Sequence, residues 1–319
     1  MKKELIKFIV FAALLLCAPL LFAGGYLMNV LVFVGINTML AIALNLLLGY
    51  AGQISLGHAG FFGLGAYLSG IFTTTFGFNP WLAIPVAAIV VGILAALIGF
   101  PILRLKGHYL AMATLGMGII IFIVFNETIN YTGGPSGLSG IPPLSVGNIV
   151  FDSDIKNYYL VWSVTLIIVI FSLNLANSRI GRALRALHDS EVAARVMGVN
   201  TRLLKVQIFA LSAMISSIAG SLYAHTMTFI SPASFGFNFS VELLTMVVIG
   251  GLGSVYGSFL GAALLTLLPE FLRAAHDYDI IIYGALLMLM VMYMPGGLVR
   301  GIPELFMKLI KARKGPWNA

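Results

Sequence analysis

Charge is scarce in this sequence: only 9% of its 319 residues are Asp, Glu, Lys or Arg, against about a quarter in soluble domains. That shortage excludes an ordinary water-soluble globular protein. Cysteine is nearly absent. Cys17 stands alone, which excludes an internal disulfide, and no Cys/His cluster has metal-ligand spacing, so neither a metal nor another cofactor is implied. The chain lacks a G-x-x-x-x-G-K-[ST] phosphate loop, which excludes ATP hydrolysis by that mechanism. Basic residues outnumber acidic ones, 18 to 11. They fall in short interhelical loops and at the termini, where membrane topology accounts for them, and no nucleic-acid partner is implied.

What the chain has is apolar length. Hydrophobic residues make up 60% of it, and its mean hydropathy is +1.02. Apolar runs, all but one near the 20 or so residues that a crossing needs, fall near 5–23, 26–50, 54–76, 80–103, 108–129, 158–177, 206–228, 240–251, 254–272 and 279–299. The pattern predicts an all-α polytopic membrane protein of about ten transmembrane helices, one domain over 1–319, with some helices broken at glycine. The eighth run is too short for a full crossing, so it is either a broken helix or begins earlier. The basic start MKKELIK and the apolar stretch after it have the outline of a signal peptide, but the A-x-A cleavage pattern is missing and Leu16 before Cys17 does not suit a lipoprotein signal. It reads as an uncleaved first span.

The longest charged interruption is 178–205, with Arg179, Arg182, Arg185, Arg195, Arg202 and Lys205 against Asp189 and Glu191. Loops rich in Lys and Arg stay in the cytoplasm. With ten spans and an inward N-terminus, Arg104, Lys106, this loop and the tail 300–319 all fall inside; only Lys156 and Arg273 fall outside. Glu127, Asp152, Asp154, Glu270, Asp277 and Asp279 fall toward the outer side. Both termini are expected in the cytoplasm. Within the loop, Asp189 and Ser190 suit an N-cap and Gly198 a C-terminal stop, which predicts a two-turn helix over 190–197. A helix that short needs support from another surface. Its Ala193, Ala194 and Gly198 would allow close approach, whereas a plain positive-inside anchor would need none of this.

The outward loop 131–157 is dense in Gly, Pro and Ser. It either covers an outer mouth, receives an external protein, or is a tether with no contacts. Two further stretches are rich in small residues. Leu48–Gly70 breaks at Gly49 and Gly52 and spaces Ser55, Ala59 and Gly63 four apart. Val248–Ala262 breaks at Gly250, Gly251 and Gly253 and spaces Ser254, Ser258 and Ala262 likewise. The parallel resembles an internal duplication, and transporters place glycine-interrupted helices at the solute path; tight helix packing alone would also use such glycines. Polar residues within spans are the candidates for function: Asn37, Asn45, Gln53, Ser55, His58, Thr114, Asn174, His225 and Glu242, the last placed at the outer end of its span. His58 beside a glycine turn reads first as an interhelical hydrogen bond. Gly137-Leu138-Ser139-Gly140 matches a G-x-S-G protease pattern, with His225 as the base it would need, but it sits in a Pro-rich outer loop.

Three segments, Leu44–Tyr67, Ser178–Asn200 and Ser240–Ala262, resemble in order the permease subunits of branched-chain amino acid ABC importers, the LivM type. The resemblance implies a second, LivH-type permease, two cytoplasmic ABC ATPases, a periplasmic amino-acid-binding protein and the bacterial inner membrane. It implies a transport subunit with no catalytic site, moving Leu, Ile and Val by alternating access, with other neutral amino acids, urea or short amides as alternative solutes and an ion-coupled secondary transporter as the remaining reading. By this likeness the 190–198 segment is a coupling helix on an ATPase, with Arg182, Arg185, Glu191, Ala193, Ala194 and Gly198 as the coupling residues. Asn45, Gln53, Ser55, His58, Gly63, Gly251, Gly253 and Ser254 are candidates for path or packing. The wider importer pattern E-A-A-x-x-x-G puts its glutamate where Val192 stands, with Glu191 one position early.

Overall fold

The computed structural model describes residues 25–272 except 148, with scattered positions at 15, 19 and between 282 and 301. Apart from those positions, the predicted spans 5–23 and 279–299 and the tail 300–319 lie outside the described residues. In between, hydropathy and structure agree closely. Besides the single turn Ile129–Thr132, the α-helices are α1 (Gly25–Ala51), α2 (His58–Thr74), α3 (Pro80–Ile102), α4 (His108–Glu127), α5 (Asp154–Asn177), α6 (Arg179–Asp189), α7 (Glu191–Val196), α8 (Thr201–Met227), α9 (Phe237–Gly250) and α10 (Val255–Leu272). Six of them, α1, α3, α4, α5, α8 and α10, are long and apolar enough to cross a membrane. An apolar segment in lipid must bond its own backbone, and helices do so. Local signals set the ends: Asn79 caps α3 by accepting from Trp81 N at 3.0 Å, with Pro80 in the first turn.

α1 is the axis. Nine-tenths of its most apolar stretch is buried inside the chain (89%), against 28% for α4, and α5, α8 and α10 pack around it. α2 and α8 cross in close contact. A Cβ on Gly65 would sit 2.4 Å from Ser217 Cα, and one on Gly220 would sit 2.0 Å from the Phe62 carbonyl oxygen, so both contacts need glycine. Two histidines fasten the same pair of helices: His58 Nε2 lies 2.6 Å from Ser212 Oγ, and His225 Nε2 lies 2.9 Å from Ser69 Oγ. Asp154 lies beside Gly25, and Tyr26 Oη donates to Glu270. The starts of α1 and α5 and the end of α10 therefore share one end of the bundle, opposite the arginine-rich end.

Two expectations are corrected, and the open reading of the 131–157 loop is decided. The 178–205 segment is not an open loop with two helical turns: α6 fills 179–189, α8 starts at Thr201, and Leu184 and Leu187 of α6 are buried. Their spacing with Ile180, four and then three residues, marks an amphipathic helix that the arginines obscure. The 131–157 loop is not a bare tether. β1 (Leu138–Ser139) pairs antiparallel with β4 (Phe229–Ile230), β2 (Ser145–Val146) pairs with β3 (Ile149–Val150), and Ile141 and Leu144 are buried. His225 Nδ1 bonds the Pro142 carbonyl at 2.7 Å, and Trp81 Nε1 donates to the Ser145 carbonyl at 2.7 Å. The loop is a cap fixed to α3 and α8.

The second correction concerns depth. After β4 the chain descends through a 3-10 turn, Pro232–Phe235. Gly236 and Phe237 then line one small cavity with Gly60 and with Gly118, the eleventh of the 20 residues of α4. α9 thus begins at the middle of the bundle and runs toward the arginine-rich end. Glu242 is not at an outer end; it lies five residues farther along, roughly 7 Å below mid-depth.

Candidate functional site

The arginine-rich end is built on α6 and α7. Ser178 caps α6 by accepting from Gly181 N at 3.2 Å, and Ser190 caps α7 by accepting from Ala193 N at 3.3 Å. α7 ends in a Schellman turn: Gly198 N bonds Arg195 O at 3.0 Å and Val199 N bonds Ala194 O at 3.1 Å. Gly198 takes φ +83° with open space around it, so glycine serves the backbone there and not a close contact.

One carboxylate holds this helix in place. Glu191 accepts from Lys205 Nζ at 2.9 Å, pairs with Lys106 Nζ at 3.4 Å, and accepts from Arg195 Nη2 at 3.1 Å. Burial by itself would raise its pKa, but the hydrogen bonds and charges of Lys205 and Lys106 outweigh burial and hold it below the ordinary glutamate range. Glu191 thereby ties α7 to the start of α8 and to the α3–α4 turn. Beside it lies a cavity of about 330 Å³ whose walls include Gly52, Leu110, His188, Glu191 and Lys205. Arg202 stacks 3.9 Å over the Phe100 ring, fastening α8 to the end of α3.

Of the two alanines, Ala194 faces inward (1% exposed) and Ala193 outward. The outer surface of α7 carries Val192, Val196 and Met197, 69%, 81% and 83% exposed. Arg182 and Arg185 are exposed on α6, and Arg182 Nη1 reaches the Asn177 carbonyl at 3.4 Å. The result is an apolar knob bordered by guanidinium groups.

The two glycine-broken stretches meet at Asn45. Its Nδ2 donates to Ser254 O at 2.9 Å and Ser258 Oγ at 2.8 Å, and its Oδ1 accepts from Gly253 N at 2.9 Å. A Cβ on Gly49 would lie 2.3 Å from Gly253 N, and Gly251 takes φ +119°. Ser55 Oγ lies 3.0 Å from His58 Nδ1, which with Ser212 places both ring nitrogens in hydrogen bonds. Gly63 lets Phe125 and Phe235 close over α2. Gln53 differs from all of these: it is buried, and among the described residues neither atom of its amide has a hydrogen-bond partner. Ser139 is exposed in β1, and His225 is engaged at both ring nitrogens by Ser69 and Pro142, so the G-x-S-G match does not assemble a nucleophile–base pair. Lys106 escapes a sequence reading because nothing local relates it to Glu191, 85 positions away.

A family model described as branched-chain amino acid transport system, permease component, matches residues 26–291. The chain belongs to this family. The permease is 33% identical to the high-affinity branched-chain amino acid transport system permease protein LivM of Escherichia coli over 74% of its own length and 61% of that protein. It thus spans about three-fifths of that relative. It is 25% identical to a probable LivM of Methanocaldococcus jannaschii over 73% of this chain and 74% of that one. With the Escherichia coli permease protein LivH it shares 31% identity over 46% and 47%. No solved structure matches the permease.

Proposed function

We propose that this chain is one permease subunit of an ATP-driven importer for Leu, Ile and Val. It sits in a bacterial inner membrane with ten crossings, both termini and the 178–205 segment in the cytoplasm, and the 131–157 cap outside, and 1–319 is a single permease domain. A LivH-type permease, two cytoplasmic ABC ATPases and a periplasmic amino-acid-binding protein complete the assembly. The subunit supplies a path and no catalytic group; ATP is hydrolysed in its partners.

The observation that carries this reading is the knob of Val192, Val196 and Met197 on a helix clamped by Glu191. A topological anchor needs arginine but not exposed apolar side chains in water. A two-turn helix fixed from behind, with an apolar front and a basic border, fits a groove on a partner with an acidic rim. Force applied to α7 passes through Glu191 to Lys106 and Lys205, and through α6 to Gly52, whose Cβ position lies 3.1 Å from His188 Nδ1. Gly52 opens the break between α1 and α2. A stroke from an ATPase thereby reaches the glycine-broken helices and moves the opening from one side to the other.

A half-buried carboxylate at Glu242 favours one competing reading, a carrier driven by an ion gradient. Uptake of labelled leucine into vesicles, with ATP and an uncoupler varied separately, decides between them. ATP-dependent, uncoupler-resistant uptake is the expected result; uptake collapsed by the uncoupler with ATP present would overturn the proposal.

A further inference from the structure

α9 presents a polar face where the surrounding depth calls for an apolar one. At 100° per residue, Asn238, Glu242 and Thr245 fall within about 60° of one another on the helix. The buried residues Ser240, Leu243, Val247 and Gly250 occupy the opposite side, Met246 lies at the border, and buried Ile249 closes the polar line one turn nearer the arginine-rich end. Asn238 is exposed and Glu242 half-buried. Among the described residues neither makes a hydrogen bond or an ion pair, whereas Thr245 Oγ1 bonds back to Val241 O at 2.8 Å. Ser240, on the inner side, is bonded to Ala59 N at 3.3 Å, so the helix is fixed in this rotation.

A carboxylate and a carboxamide at this depth cannot face hydrocarbon without a large cost. They need water, or a ligand of complementary charge. We infer that the Asn238–Glu242–Thr245 face lines the solute route and that the Glu242 carboxylate receives the α-ammonium group of an aliphatic amino acid. This deepens the importer reading and rests on it. The chemistry points to a cation because the face holds one acid and no Lys or Arg. The flanking side chains indicate which cation: Phe237 and Val241, 48% and 39% exposed, border the polar face and offer an apolar surface to an aliphatic side chain. A bare metal ion would want several oxygens around it; a zwitterion with a branched alkyl group uses the acid, the amide and the apolar border together.

The test uses the complete transporter in proteoliposomes, with its binding protein and labelled leucine. ATP-dependent uptake by the unmodified complex establishes the importer itself; its failure would fall on that reading. Glu242→Gln is expected to reduce uptake at least tenfold while the binding protein still stimulates ATP hydrolysis. Uptake at the unmodified rate would overturn the assignment. So would loss of the second permease on purification, which would make Glu242 a subunit-pairing residue. Independently, Asn238→Cys in a Cys17→Ser background is expected to react with a charged, water-borne thiol reagent, and more slowly when leucine-loaded binding protein and ATP are cycling. An Asn238→Cys thiol inert in every nucleotide state would place this face against lipid or protein and end the proposal.

Discussion

The Glu191 carboxylate accepts a hydrogen bond from Lys205 Nζ at 2.9 Å, joining the first residue of α7 to the first turn-and-a-half of α8 across 14 positions. Both side chains are mostly shielded, 19% and 11% exposed. Glu191→Gln should therefore cost about 1–3 kcal/mol, because Lys205 loses its counter-charge in a half-dry setting. The measurable result is a lower thermal midpoint in detergent and ATP hydrolysis that continues without matching uptake. Equal stability and tight coupling in the variant would show that Lys106 and Lys205 find other partners.

The same pair sets a pH dependence. Glu191 has a depressed folded pKa, so its contribution is fully present above the ordinary glutamate value, near 4.3, and fades as pH falls through the lower folded value. Wild type should thus exceed Glu191→Gln in thermal midpoint by a constant margin from neutral pH to about 5, narrowing only below that. A margin already shrinking at pH 6 would contradict the assigned direction.

Gly198 holds φ +83° with nothing near its Cβ position. Gly198→Ala should cost about 1 kcal/mol through backbone strain alone, and Gly198→Asn less. The readout is protease sensitivity at the end of α7 together with retention of the ATPases on purification. Indifference to alanine would mean that the turn relaxes.

Gln53 is buried, and among the described residues its amide is unpaired, a state that costs about 1–3 kcal/mol. Gln53→Leu is expected to leave the thermal midpoint unchanged or to raise it. A fall of several degrees would reveal a partner for the amide in the assembled transporter.

On the opposite face, His225→Ala removes the bond to Pro142 O and the one to Ser69. The 131–157 cap should then be cut faster in limited proteolysis, with a stability loss of about 1–2 kcal/mol. Unchanged cutting would assign the cap to β1–β4 pairing and to the burial of Ile141 and Leu144.

Hydropathy located α1 to α5 and α8 to α10 within a few residues because each is an apolar run bounded by polar or glycine residues, and those are local properties. It passed over α6 because three arginines dominate any average there, although Ile180, Leu184 and Leu187 carry a helical spacing. It misplaced Glu242 because the limb that brings the chain to mid-depth, Thr228–Gly236, has no helical period to count. The 190–197 segment was legible as a capped short helix; its clamp was not, since Lys106 lies 85 positions from Glu191. Asn45 likewise looked like one polar residue among several until its partners, more than 200 positions away, came beside it.

Those partners restrict how the molecule can move. Pulling α1 away from the start of α10 means breaking the bonds from Asn45 to Gly253, Ser254 and Ser258 together, while Gly49 and Gly253 touch backbone to backbone. Any rearrangement of the bundle that spares these bonds must therefore carry α1 and the start of α10 together.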